Sequence, residues 1–320
     1  MARSFGLLAS VCAAVLLTGP ALGQTVSIGT NPQGSVGNAI GSAVAKVISE
    51  NSKLNVRAIA YGGSSATLPR VDAGSLEMAA QDVISVLWAR AGKGIFKGKP
   101  RPNIRVVSVL TPFRVGLMVG KDTGIKSIHG LKGQAFPTRF TSQRIISLML
   151  GTWLEMAGMT VKDLKGVPTP NFARGIDYYK AGKVVGGAVA PGSAKVREGN
   201  AARPVTYISL PNSSKAIEIL QRRLPGTYLA TVKPARHLAG LDAPTVMLGY
   251  DYLLVVNAKV PDDVVYRAVK ALSANKKALA AAARPLRGFS RDRMVAKNVA
   301  SIYHPGAVKF YKEAGLWGNK

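Results

Sequence analysis

Apolar and polar positions follow one repeated plan along the chain. A short apolar run reads as a strand, a turn of Gly, Ser, Thr and Asn follows, and a helix-spaced segment comes next. The first unit has a strand over 25–29, the polar turn Thr30-Asn31-Pro32-Gln33-Gly34-Ser35, and a helix over 36–49. Ile40, Val44, Val47 and Ile48 fall on one face of that helix. The second unit has a strand over 56–61, broken by Gly62 and Gly63. Ser64 and Ser65 are expected as N-cap residues of the next helix, and Gly74 as its stop. A further apolar run over 76–80 ends in Gln81 and Asp82.

The plan continues. Residues 106–110 and 114–120 read as strands, then 134–137 leads to a third polar turn, 138–143. Helices are predicted over 143–157 and 172–180, a strand over 182–190, and a fourth turn at Pro191-Gly192-Ser193 before a helix from 194. A strand over 205–210, a helix over 213–223 and a turn at Pro225-Gly226-Thr227-Tyr228 come next. The longest apolar run, 246–256, precedes a helix predicted over 262–283 with Pro261 at its start. Polar turns at the carboxyl ends of strands face one crevice in an open α/β sheet. Free peptide N–H groups at the helix starts suit an anion there. A Gly-Gly-Ser-Ser stretch also reads as nothing more than a tight turn.

The first 23 residues change the picture. Arg3, an apolar run over 5–17 and Ala21-Leu22-Gly23 before Gln24 form an export signal pattern. The run is shorter than a membrane span of about 20 residues. The single cysteine, Cys12, lies inside it, so the processed chain is expected to have no disulfide. At 47% hydrophobic and 18% charged, the remainder is expected to fold, as two domains. Forty-three Lys plus Arg against 16 Asp plus Glu leave a net charge of +27. Export and the lack of interleaved aromatic residues argue against nucleic acid. The charge reads either as a solvated surface or as a field that attracts acidic ligands or an anionic membrane. Its densest patch is the loop over 92–105, with Lys93, Lys97, Lys99, Arg101 and Arg105.

Enzymatic motifs are not found. His129, His237 and His304 are the three histidines, and none has a metal-ligand spacing. No Gly-x-Ser-x-Gly elbow occurs, and the acidic residues are scattered. His304, followed by Pro305, reads as a cap or turn residue. No catalytic residue, metal or cofactor is expected.

The C-terminal HPGAVKFYKEAG, His304 to Gly315, resembles a motif of the TAXI family of solute-binding proteins, which serve tripartite ATP-independent periplasmic (TRAP) transporters. The resemblance covers essentially the whole processed chain. It includes IGTNPQGS in the first turn, Gly63-Ser64 with Asp72-Ala73-Gly74, Leu131-Lys132-Gly133, and Pro225-Gly226-Thr227-Tyr228. Three departures stand out. Val36 and Gly37 lie where an aromatic pair is usual, Arg139-Phe140-Thr141-Ser142 replaces Gly-Ser-Gly-Thr, and Thr67 stands for an Asn.

The resemblance implies a type II periplasmic binding protein fold, two α/β lobes joined by hinge strands around a ligand cleft. Lobe one would hold 24–112 and 257–320, and lobe two 113–256, with hinge strands at 114–120 and 246–256. The implied role is capture of a small organic carboxylate in the periplasm and delivery to a TRAP permease by a monomer. A binding protein feeding a sensor kinase or an ABC importer stays open.

The turns supply the candidate site. Arg139 has a guanidinium fork suited to a carboxylate, worth about 1.5–3 kcal/mol, whereas micromolar binding needs about 8. Ser64, Ser65, Thr141 and Ser142 would add hydroxyls and peptide N–H groups, and Ser35, Gly63, Pro191 and Gly192 are further ligand-binding candidates on the turns. Asn31, Gln33 and Gln81 would orient the solute, and Asp82 would accept from an amino or hydroxyl group or cap a helix. Phe140 and Tyr228 read as cleft walls or as ordinary packing. Arg114 is a second carboxylate candidate or a hinge-surface residue.

Overall fold

A computed structural model describes residues 25–318. The expected export signal lies outside the described residues. The elements in order are β1 (Thr25–Thr30), α1 (Val36–Ser52), β2 (Asn55–Ala60), α2 (Ser64–Ala73), β3 (Met78–Asp82), α3 (Val83–Ala91), β4 (Ile104–Gly120) and β5 (Ala135–Thr138). Then come α4 (Ile145–Met156), β6 (Lys165–Pro168), α5 (Phe172–Lys180), β7 (Gly186–Val189), α6 (Ala194–Ala202), β8 (Val205–Ile208) and α7 (Ser214–Arg223). The chain closes with β9 (Tyr228–Val232), β10 (Thr245–Asn257), α8 (Asp262–Ala274), α9 (Lys276–Ala282) and α10 (Pro305–Glu313).

An eight-stranded sheet runs β2-β1-β3-β10-β4-β7, with β8 also on β4 and β9 also on β10. β1 is parallel to both neighbours, whereas β4 and β10 are antiparallel. These two long strands serve both halves. The Tyr252–Val256 end of β10 pairs with β3, and its Thr245–Gly249 end pairs with β9. The far half of β4 pairs with β7 and β8. Both strands are buried on both faces, as their near-continuous apolar sequences require. The fold is the mixed α/β, two-lobed arrangement expected from the sequence.

Sequence and structure part company in several places. The expected strands over 106–110 and 114–120 are one strand. Pro112 sits inside it, because a register shift falls next to it between Tyr252 and Leu253, and proline is tolerated at such irregularities. The single helix expected over 262–283 is broken at Asn275, whose side chain donates to the Ala271 carbonyl at 2.8 Å. α3 was not legible, because VISVLWARA is apolar with no clear face. Ser64 and Ser65 do not cap α2; Gly63 holds the N-cap position, with φ 150° and no side-chain bond. Side chains cap other helices, as at Asp82, Ser193 and His304, whose Nδ1 accepts from the Gly306 amide at 3.2 Å. No described helix is long and apolar enough to cross a membrane.

Candidate functional site

Between the lobes, several helix starts and strand ends come together. β1 ends at Thr30, and Asn31 follows, its Nδ2 donating to the Tyr252 hydroxyl at 3.0 Å. Ser35 caps α1 by accepting from the Asn38 amide at 2.9 Å. β3 ends at Asp82, which caps α3 by accepting from the Ser85 amide at 2.7 Å. From the other lobe come Gln143, whose Oε1 accepts from the Phe172 amide at 3.1 Å, and Ser193, the cap of α6. These residues line a hollow of about 60 Å³ whose remaining walls are largely apolar.

The floor of the hollow is an aromatic ladder from the two shared strands. Phe113 stacks on Tyr250 at 5.3 Å and on Tyr252 at 4.9 Å between ring centres. Sequence reading assigned these strands to a hinge and missed their side chains. Period two was the available signal, since it puts Tyr250 and Tyr252 on one face. The Asn31 Oδ1 is buried and has no hydrogen-bond partner. A buried amide oxygen without a partner invites a donor from a solute.

The hollow opens into a vestibule of about 970 Å³ that shares Ser35, Val36, Phe113, Ala190 and Ser193 with it. Arg114, Arg197, Arg236 and Arg284 border the vestibule, and no acidic residue does. Arg114 lies over the Tyr228 ring at 5.0 Å, and Arg197 donates to the Gly192 carbonyl at 3.0 Å. In charge, the vestibule is cationic and the hollow holds one acid, Asp82.

The lobes are closed on each other beside this space. The Lys195 amide donates to the Gly34 carbonyl at 3.3 Å. A β-carbon added at Gly62 would lie 2.7 Å from the Ser142 Cβ, and one at Gly63 would lie 2.9 Å from the Ser142 carbonyl oxygen. Glycine is what lets the second turn touch the third.

The candidate residues therefore separate. Asn31, Ser35 and Asp82 line the hollow, and Pro191 and Gly192 line the vestibule. Gly63 and Ser142 form the lobe contact. Ser64 and Gln81 are buried beneath the site: the Ser85 hydroxyl donates to Ser64 Oγ at 2.9 Å, and Gln81 Nε2 donates to Thr67 Oγ1 at 2.9 Å. Gln33 is exposed, and Phe140 is packed in the core. Arg139, Thr141 and Ser65 border grooves that share no lining residue with the hollow or the vestibule. Arg139 is not brought to the cleft because its turn faces the loop at Gly94 instead. Tyr228 is 39% exposed and reaches the site only through Arg114. Arg114, the second carboxylate candidate, is one of the four arginines that border the vestibule.

Burial holds the Asp82 carboxyl above its ordinary range, although hydrogen bonds from Ser85 pull the other way. Its charge in turn adds to the burial that pushes up the Tyr250 and Tyr252 hydroxyls. A carboxyl that protonates more readily in the folded state stabilises below the unfolded value near 4, and loses that contribution as pH rises through the folded value. Asp82→Asn keeps a capping oxygen and removes the charge. It is expected to melt higher than the unaltered protein at pH 7, with the gap shrinking as the pH is lowered. Calorimetry across that range checks it; a lower melting temperature at pH 7 would mean that the buried charge is stabilising.

Residues 28–315 match the NMT1-like family. The chain belongs to the NMT1-like family. Among solved structures, this NMT1-like protein is similar to PhnD1 from Prochlorococcus marinus in complex with methylphosphonate, at 15% identity and a TM-score of 0.54, over 92% of this chain and 99% of that one. It is similar to the alkanesulfonate-binding protein SsuA from Xanthomonas axonopodis pv. citri bound to MOPS, at 13% identity and a TM-score of 0.52, over 91% and 93%. A TctC solute binding protein from Polaromonas matches at 11% identity and a TM-score of 0.51, over 92% and 99%. At such identities the likeness speaks of fold.

Proposed function

We propose that this NMT1-like protein is a periplasmic solute-binding protein that captures a small organic anion between its lobes. The observation that carries this is the cationic vestibule leading into a polar, aromatic-floored hollow bounded by both lobes. The acid group of the solute would meet the arginines, with Arg114 foremost. The peptide N–H groups at the starts of α1 and α6 would reinforce them. The polar body of the solute would lie on Tyr250 and Tyr252, donating to Asn31 Oδ1 and Asp82. That donor requirement favours a hydroxy- or amino-carboxylate. Lobe closure over the solute is a hinge motion on the shared strands. The structural neighbours named above with a sulfonate buffer or a phosphonate support an anion as ligand.

The finer assignment, delivery to a TRAP permease as a TAXI-type protein, is proposed on the C-terminal His304-to-Gly315 motif and the turn resemblances. Calorimetric titration with small carboxylates, sulfonates, phosphonates and neutral sugars tests the ligand class. A hydroxy- or amino-carboxylate is expected to bind at micromolar strength, and Arg114→Gln to weaken it about tenfold, as loss of one charge-assisted bond would. Tight binding of a neutral sugar, with no response to any acid, overturns the proposal.

A further inference from the structure

The basic loop that the sequence singles out is not absorbed by the solute site. Lys97, Lys99 and Arg101 from lobe one border a groove that Arg144 from lobe two also lines. An adjoining groove, sharing Gly94, Ile95 and Arg144, adds Arg139. Among the described residues no acidic one lines either groove, and of these cations only Arg101 has an ion pair, with Asp72 at 3.7 Å.

The loop is held in place. The Arg101 amide donates to the Ala89 carbonyl at 2.7 Å, Lys99 to Phe96 at 2.8 Å and Gly98 to Gly92 at 3.0 Å. Ile95 and Phe96 are buried beneath it. Arg139 is held at φ 49°, one of two non-glycine residues with positive φ among those described. A long side chain in that region is uncommon and strained. So an ordered loop and a strained arginine present like charges to each other across the lobe boundary.

We propose that these grooves form a docking face for an acidic surface of the membrane-bound transport partner, and that the face is complete only when the lobes are closed. Three of its cations belong to one lobe and two to the other, so opening the cleft divides them. A free small anion fits less well. Lys97, Lys99, Arg139 and Arg144 are all exposed and solvated, which suits a broad acidic face more than a tight ion pocket. Complementary charge of this kind mainly speeds and orients association. A transporter gains from this arrangement, because it would engage loaded protein in preference to empty protein.

The inference rests on lobe closure in the proposed function, so the test sets closure without any solute. A β-carbon at Gly34 would lie 3.6 Å from the Lys195 Cβ, within the range for a disulfide. Gly34→Cys/Lys195→Cys, oxidised, fixes the closed form. The probe is a fluorescein-labelled decaglutamate peptide, with anisotropy read in 150 mM NaCl. The oxidised protein is expected to bind it at least fivefold more tightly than the same protein reduced. Arg139→Gly/Arg144→Gln on that background is expected to weaken binding at least tenfold. Glycine relieves the φ strain at 139, so misfolding is not a concern there. Lys276→Gln/Lys277→Gln, an exposed pair on α9 with the same charge change, is expected to alter binding less than twofold. Equal losses from both pairs, or equal binding by oxidised and reduced protein, overturn the proposal. So does binding to phosphatidylglycerol vesicles that depends on Arg139 and Arg144 while the peptide does not bind. A wrong solute class would leave all these outcomes unchanged.

Discussion

Gly37→Ala is expected to lower solute affinity at least tenfold while leaving the protein folded. Gly37 lies in the first turn of α1, against the ladder. An added β-carbon there would collide with the Tyr252 hydroxyl and lie 2.8 Å from Asn31 Nδ2. Tyr252 is 1% exposed and stacked on Phe113, so its ring has nowhere to retreat. Asn31 would have to give up its bond to that hydroxyl, and its orphaned oxygen would turn away from the solute. Overpacking of this kind costs about 1–3 kcal/mol, and about 1.4 kcal/mol is a factor of ten in binding. Gly151→Ala in α4 is the control, because a β-carbon there meets nothing within 4 Å. It is expected to raise the melting temperature and leave affinity alone. Unchanged solute binding by Gly37→Ala in a calorimetric titration would remove the first turn from the site.

The second large effect is expected from the oxidised Gly34→Cys/Lys195→Cys protein. Residues 25–320 contain no cysteine, so the pair would have no competitor. The new bond closes a loop of well over 100 residues, for which the chain-entropy model gives about 4.7 kcal/mol or slightly more. Gly34 has φ 78°, and a side chain there forfeits about 1–2 kcal/mol. The oxidised protein is therefore expected to gain about 3 kcal/mol and melt several degrees higher. Solute release, followed by filter retention, is expected to slow at least a hundredfold and to recover on reduction. Release at the same rate in both redox states would mean that solute leaves without the lobes parting.

Local order was the legible part of this chain. α5 was read to the residue, since Asn171 caps it and its apolar face is narrow. Gly74 at the end of α2 has φ 77°, as a helix stop requires. The turns were also legible, but not which way each one faces. Asn31 and Asp82 lie at the carboxyl ends of the neighbouring parallel strands β1 and β3, and Ser35 closes the turn after β1, so topology brings them together. Arg139 follows β5, which pairs only with β6 in a separate two-stranded sheet, so its turn is aimed by packing that no local pattern encodes. Tyr250 and Tyr252 were read as a bare strand because a run of apolar residues hides which face is functional. β9 was missed for the same reason that Tyr228 was taken as a turn residue: the strand is short and half exposed.

The order in which the strands are made has its own consequence. Asp82 stands beside Tyr252 in the sheet, and β10 separates β3 from β4. β3 thus lacks its neighbour on that side until residues 245–257 have been synthesised. Contacts so remote along the chain form slowly. The N-terminal residues therefore cannot complete their sheet early in synthesis, because it waits for β10.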